Sequence, residues 1–156
     1  MSAPAAAALW AVLLGPVLLG QSSVQYAGGT AAQFAAGTPG TIELTDEHYF
    51  AFYTKKAQVR VAYDQINLIE HGQQVSRRIA AAIALSALVP AATKLAFTKS
   101  RKHFLTVGYT GEDGKQQAMV FRVGKNNIRV VLVSLEARTG LKVEYQDEEA
   151  RKAGKG

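Results

Sequence analysis

The chain of 156 residues contains no cysteine, so disulfide bonds, thiolate zinc sites and cysteine nucleophiles are all excluded. It has one tryptophan and two methionines, and no charged side chain precedes Thr41. The lack of cysteine does not by itself fix the compartment, because many exported bacterial proteins also lack it.

Sequence motifs of the common catalytic sites are absent as well. There is no HExxH or GxSxG, and the histidines at positions 48, 71 and 103 lack the i, i+4 spacing of a helical zinc site. The glycine-rich stretch 108–114 joins two predicted strands, so no helix N-terminus follows it to hold a phosphate. We therefore predict no enzyme, metal site or cofactor, and expect each histidine to be solvated or singly hydrogen-bonded.

Apolar residues make up 48% of the chain, which is enough for one packed core. The net charge of +6 is unevenly distributed: between His71 and Arg138, eleven lysines and arginines face three acidic residues. A basic surface favours anionic partners such as lipid headgroups, nucleic acid or an acidic protein. Solubility alone is the other explanation of the same excess.

The first 22 residues resemble a secretory signal peptide or an N-terminal anchor. The apolar run 5–20 is shorter than the roughly 20 residues of a transmembrane helix, and small residues at Gly20 and Ser22 suit a cleavage site. Against cleavage, no lysine or arginine precedes the run and Pro16 interrupts it. We predict an exported, periplasmic or cell-surface, membrane-associated protein; the alternative is an apolar helix packed in an assembly.

Residues 23–40 are rich in Gly, Ala, Gln and Thr, a composition that predicts a linker. After it, short segments of alternating apolar residues predict antiparallel strands joined by tight turns. In the fourth of these strands we expect Ile66 and Leu68 to point inward. The six predicted strands are 41–45, 49–54, 57–63, 66–70, 103–109 and 116–123.

The segment 125–139 carries two conflicting patterns. Its valines favour a strand, whereas Ile128, Val131, Leu132 and Leu135 recur at the spacing of one helix face. Because Asn126 or Asn127 can cap the start and Gly140 suits the position after the end, we predict a helix of about four turns. A last short strand is expected within 141–145, followed by a frayed polar tail over 146–156.

An apolar insertion over residues 76–100 separates the fourth and fifth predicted strands. Its apolar core begins at Ile79 and extends to Phe97, with Lys94 as its one charged residue, and is close to the length of a membrane span. One crossing would put two strands of the same sheet on opposite sides of the bilayer. We therefore expect the insertion to lie in the interface, to re-enter and return near Pro90, or to pack on protein, including as a core helix of the domain itself.

Basic residues flank this insertion at both ends, and one lies within it where its ammonium can snorkel to headgroups. Each basic residue near an anionic surface contributes about 1 kcal/mol, so the cluster suffices for reversible binding only together with apolar contact. The candidate lipid- or partner-binding residues are Arg77, Arg78, Lys94, Lys99, Arg101 and Lys102.

The order of these elements resembles the bacterial pleckstrin-homology/GRAM-like superfold. The stretches that carry the resemblance are GTIEL at 40–44, VRVAYDQINLIE at 59–70, HFLTVGY at 103–109 and LEARTG at 135–140. The resemblance covers roughly 41–145 and implies an α+β fold: a small bent antiparallel β-sheet or barrel (PH-like) with a C-terminal helix, here with an apolar helical insertion. The chain departs from it in that long insertion and in showing six strands rather than seven; 94–99 is a candidate for the seventh.

The resemblance implies non-catalytic binding of phospholipid headgroups or of protein, often at a membrane. Our first hypothesis is a non-enzymatic, membrane-associated binding or accessory domain that contacts anionic lipid or a membrane-complex partner through the insertion. The alternative is a structural subunit of a homo- or hetero-oligomer with both apolar segments buried between protomers. Nucleic-acid binding rests on the high pI alone, and we do not expect it.

Overall fold

A computed structural model describes residues 21–84 and 103–155. Residues 1–20 of the predicted N-terminal segment and most of the apolar insertion lie outside those residues, as do Lys94, Lys99, Arg101 and Lys102, whereas the last two residues of that segment belong to the first strand. The part described confirms the α+β class: three α-helices accompany one eight-stranded sheet. The sheet is open and mixed, which corrects the expectation of a purely antiparallel sheet that closes.

The strands are β1 (Gln21–Gly29), β2 (Thr38–Glu43), β3 (Tyr49–Tyr53), β4 (Gln58–Ala62), β5 (Ile66–Gly72), β6 (His103–Thr110), β7 (Gln116–Val123) and β8 (Glu144–Tyr145). The helices are α1 (Arg77–Ala84), α2 (Lys125–Thr139) and α3 (Glu148–Lys155). The sheet has the order β4-β3-β2-β1-β7-β6-β5-β8, and only the last pair is parallel. A 3-10 turn, Tyr63–Gln65, joins β4 to β5.

The linker predicted over 23–40 is wrong, because β1 is a central strand that pairs with both β2 and β7. The glycines that indicated a flexible segment serve close packing. A Cβ added to Gly29, whose φ is +149°, would lie 2.4 Å from the carbonyl oxygen of Ala118 in β7. Tyr26, in the same strand, is fully buried in the core.

The six predicted strands all exist, and Leu105, Val107, Met119 and Phe121 of β6 and β7 enter the main core. The expectation for Leu68 is wrong. A register shift between Ile66 and Leu68 reverses the alternation in β5, so Ile69 instead enters the main core.

Two apolar clusters lie on opposite faces of the sheet. The main one is rich in aromatic rings, with Phe52 and Phe121 at 4.9 Å between ring centroids, and α2 packs on it. The smaller one brings Ile79 and Ile83 of α1 against Phe104 of β6. The residues of α2 that enter the main core are Ile128, Val131, Leu132 and Leu135, as the sequence predicted.

The predicted C-terminal end of α2 is confirmed, and the predicted N-terminal cap is wrong. Gly140 ends the helix in the left-handed conformation, with φ of 73°, and donates its N–H to the carbonyl of Glu136. The start lies earlier than the asparagines: Gly124 occupies the N-cap position, and no side chain caps it.

The frayed tail predicted over 146–156 is also wrong, since most of it forms α3. Asp147 Oδ1 accepts a hydrogen bond of 2.6 Å from the Ala150 N–H and so caps the helix. Ala150 is fully buried, and α3 packs on β5 and α2. The charges of this segment belong to one solvated helix face rather than to a loose terminus.

Candidate functional site at the root of the insertion

The apolar insertion leaves and returns at one end of a two-stranded ribbon. β5 and β6 are antiparallel neighbours, and Gly72 at the end of β5 is opposite Phe104 near the start of β6. The chain between them therefore begins and ends at the same place on the sheet. We call these paired ends, with α1, the insertion root.

The first turns of the insertion form α1, which lies on the sheet through one face. Ser76 caps it, since its Oγ accepts a hydrogen bond of 3.3 Å from the Ile79 N–H. Ile79 and Ile83 are buried, so Arg77 and Arg78 point outward and are exposed. This separation of faces is the amphipathic arrangement of a helix that rests on an apolar surface.

Of the six predicted binding residues, the structure places two, both at the insertion root. Arg77 has an exposed side chain, and Arg78 lies 3.9 Å from the Glu144 carboxylate, with 73% of its side chain accessible. An exposed ion pair of this length contributes little stability, so Arg78 can exchange its partner for another anion. The other four residues lie in the segment that the structure leaves undescribed.

Glu70, on the α1 side of β5, was not predicted as a site residue. It is 1% exposed, and among the described residues neither carboxylate oxygen accepts a hydrogen bond of good geometry. Burial therefore raises the pKa of Glu70, while polar groups of Ser76 and the charge of Arg78 oppose the rise and Glu144 adds to it. A carboxyl with these surroundings favours its neutral form more than a solvated one does.

On the other face of β5, His71 contacts His103. His71 Nε2 and His103 Nδ1 are 3.2 Å apart, which fits a hydrogen bond in which one ring donates and the other accepts. His71 is fully buried, and the edge of its ring meets Tyr145 of β8. Burial, and then the proximity of His103, lower the pKa of His71 to about 4. The expectation that each histidine stands alone is wrong for this pair.

The positions of the two histidines at strand ends indicate this pair, although the alternation of apolar residues does not. His71 ends β5 and His103 begins β6, so an antiparallel pairing of those strands with a long connection brings the two rings together. The third histidine, His48, lies apart, at the turn before β3. In the part of the chain described, no group of three His, Asp or Glu side chains is arranged to hold a metal ion.

Among the described residues, one groove of about 750 Å³ lies between α2, β8 and α3, and another of about 480 Å³ lies beside the β3–β4 end. The first is lined by side chains of both charges, among them Glu136, Asp147, Lys142 and Arg151. The second includes Tyr63, whose buried hydroxyl has no hydrogen-bond partner in the described part of the chain. Neither groove brings together a nucleophile and a base in hydrogen-bond contact.

No helix among the described residues combines the length and the hydropathy needed to cross a membrane. No family model matches the chain, and no curated protein shows significant similarity to it.

Proposed function

We propose that this protein is a PH-like, non-enzymatic domain of membrane-associated function. It contacts anionic lipid, or a membrane-complex partner, through its basic-flanked apolar insertion. Residues 1–22 deliver it as a signal peptide or hold it as an anchor, at the periplasmic or cell-surface side. N-terminal sequencing of the native protein separates the two roles of that segment.

The strand order supports the PH-like part of the proposal. Seven strands follow one another as two meanders, β1 to β4 and β5 to β7, joined where β1 meets β7. α2 follows immediately and packs on the core face. The short β8 and α3 are additions beyond that plan.

The insertion root is the observation that carries the functional proposal. Gly72 and Phe104 are opposite each other at one end of the β5–β6 ribbon, and basic residues follow the first and precede the second in the sequence. An apolar segment that leaves and rejoins the sheet at one place suits shallow insertion into the membrane–water interface. The basic residues at its two ends would then lie at the level of the lipid headgroups. Arg77 and Arg78 already face outward there.

Vesicle flotation of the full chain tests the lipid arm. We expect binding to phosphatidylcholine vesicles that contain phosphatidylserine, weaker binding to phosphatidylcholine alone, and a decrease with salt. Arg77→Gln with Arg78→Gln should weaken binding to the anionic vesicles about tenfold or more, at roughly 1 kcal/mol per residue. Lys55→Gln with Lys56→Gln removes the same charge from the exposed β3–β4 turn and should change binding little.

The alternative, a structural subunit, is favoured by a different surface. Val130 and Val133 of α2 are 50% and 54% exposed and lie one turn apart on the outward side of the helix. Size measurement by light scattering in mild detergent distinguishes the two functions. A defined oligomer that dissociates when 79–97 is deleted, together with no flotation on either vesicle, supports assembly and contradicts lipid binding.

A further inference from the structure

The His71–His103 pair lies at the junction of three elements. The two rings join β5 to β6 at the insertion root, and β8 and α3 cover them from the C-terminal side. The backbone makes the same junction, since the Gln146 N–H donates a 2.9 Å hydrogen bond to the His71 carbonyl. Opening at this point would therefore separate β8 and α3 from β5.

Every element packed around the pair contributes a titratable or charged group. Asp147, between β8 and α3, favours a positive charge on both rings, whereas Lys125 at the start of α2 disfavours it on His103. Tyr145 of β8 meets His71 edge-on, with the Lys155 ammonium 5.9 Å from the centroid of the tyrosine ring.

Two further groups bear on the same junction. Gln73, just after β5, donates two hydrogen bonds to the C-terminal segment. Its side-chain amide donates to the Glu149 carboxylate, and its backbone N–H donates to the Asp147 carboxylate at 3.0 Å. Glu70 is next to His71 in sequence but faces α1. Asp147 thus acts both on His71 and on the backbone just after β5.

The hydrogen bond between the rings permits only one proton on the two facing nitrogens. A proton added to His71 Nε2 while His103 Nδ1 carries its own would place two N–H groups head to head at 3.2 Å. A cation on His71 would be fully buried, and its Nδ1 makes no hydrogen bond of good geometry among the described residues, although the backbone of Ala150 favours the charged ring. The closed pair can thus hold at most one positive charge, and burial disfavours placing that charge on His71.

We propose that His71 and His103 form a pH-sensitive clasp, which holds β8 and α3 on the insertion root when His71 is neutral and opens when His71 is protonated. The clasp stands independently of what the insertion binds. Protonation of His71 is then the condition under which β8 and α3 separate from the sheet.

The expected response follows from proton linkage. An open His71 is solvated and has a pKa near 6.5, whereas the closed ring has a pKa of about 4. Between those values opening takes up one proton, so the open population rises about tenfold for each pH unit of acidification. From pH 6.5 to 4.5 the increase is about fortyfold, because the open ring is already half protonated at pH 6.5.

Amide hydrogen exchange of the full chain, measured by NMR over that pH range and corrected for intrinsic exchange, tests the clasp. The Gln146 amide is the primary readout because its acceptor is the His71 carbonyl rather than a carboxylate. We expect its opening constant to rise about fortyfold and to stay above the opening constants of the β1–β2 amides, which exchange only when the whole fold opens. His71→Gln should remove the slope, and the matched change His48→Gln should leave it intact.

A slope that persists in His71→Gln overturns the clasp. A second measurement decides the case in which that variant does not fold. In the unmodified chain, ring NMR should show His71 titrating well below 6.5, the ordinary pKa of an imidazole. A His71 ring that titrates near 6.5 while β8 and α3 stay protected contradicts the proposal.

Discussion

Glu70 and His71 are consecutive residues of β5, and both side chains are buried, on opposite faces of the sheet. Glu70 faces α1 and the smaller cluster, while His71 faces Tyr145 beneath α3. Burial raises the pKa of the first and lowers that of the second, so both prefer to be neutral. One strand therefore carries two pH responses of opposite sign.

Glu70→Gln should stabilise the fold at neutral and alkaline pH. Because the folded-state pKa of Glu70 is raised, the stability that its proton contributes is complete below the unfolded value and is lost as pH rises through the folded one. Glutamine keeps the shape without the charge, and an unsatisfied buried group costs about 1–3 kcal/mol. Urea unfolding at pH 5 and pH 8 should show the gain at pH 8 and a smaller one at pH 5.

Glu144→Gln is the control, since Glu144 is exposed and adjacent to Glu70 across β5 and β8. Its effect should stay within about 0.5 kcal/mol. Equal unfolding free energies for Glu70→Gln and the unmodified chain at pH 8 would show that the ionised Glu70 carboxylate does not destabilise the fold.

Acidification should destabilise the whole fold through His71. Its folded pKa of about 4 lies below the unfolded 6.5, so its contribution is present above pH 6.5 and is lost as pH falls towards 4. The ceiling is about 3 kcal/mol, at 1.36 kcal/mol per unit of pKa difference. In urea unfolding, the stability difference between the unmodified chain and His71→Gln should shrink along that range; a constant difference argues against a buried neutral ring.

Gly29→Ala should be strongly destabilising. The added Cβ would meet the Ala118 carbonyl at 2.4 Å and the Tyr26 hydroxyl at 2.7 Å, at a φ of +149° that side chains avoid. We expect a loss of about 3 kcal/mol or more in chemical unfolding, since strain of this kind costs 1–3 kcal/mol before the clash is added.

Gly124→Ala is the matched control for that change, because a Cβ there meets no atom within 4 Å. A loss of less than about 1 kcal/mol is expected, from the poorer N-cap alone. If the two substitutions cost the same, β1 does not pack on β7 as described.

Asp147→Ala should loosen α3 without unfolding the sheet. The carboxylate accepts from the N–H of Ala150 at 2.6 Å and from that of Gln73 at 3.0 Å, so both donors lose their partner. A lost helix cap costs about 0.5–2 kcal/mol. Limited proteolysis should release the C-terminal segment faster, whereas Glu112→Ala, an exposed change in the β6–β7 turn, should leave the rate unchanged.

The sequence was informative where local pattern and environment agree. The buried face of α2 follows from the spacing of Ile128, Val131, Leu132 and Leu135, because a helix on one core shows its period directly. The β6–β7 hairpin follows from its turn residues: the Gly111 N–H donates to the Lys115 carbonyl at 2.8 Å.

It failed where partners distant in sequence decide the structure. Gly29 has the composition of a linker, and only the approach of β7 makes it a strand residue. The register shift between Ile66 and Leu68 reverses which side chains of β5 point into the main core. No glycine or proline lies between these residues to indicate the shift. Glu70 and His71 are buried because α1 and α3 cover the two sides of β5. The spacing of apolar residues within β5 does not encode that covering.

The antiparallel pairing at the insertion root also has a mechanical consequence. Any tension on the insertion would enter β5 at Gly72 and β6 at Phe104 together and pull both strands lengthwise in one direction. Inter-strand hydrogen bonds lie perpendicular to the strands, so the ladders to β7 and β8 would share that load as shear rather than break one bond at a time. The ladder to β7 spans the full length of β6, while β8 offers two residues, so the C-terminal edge is where a strained domain would yield first.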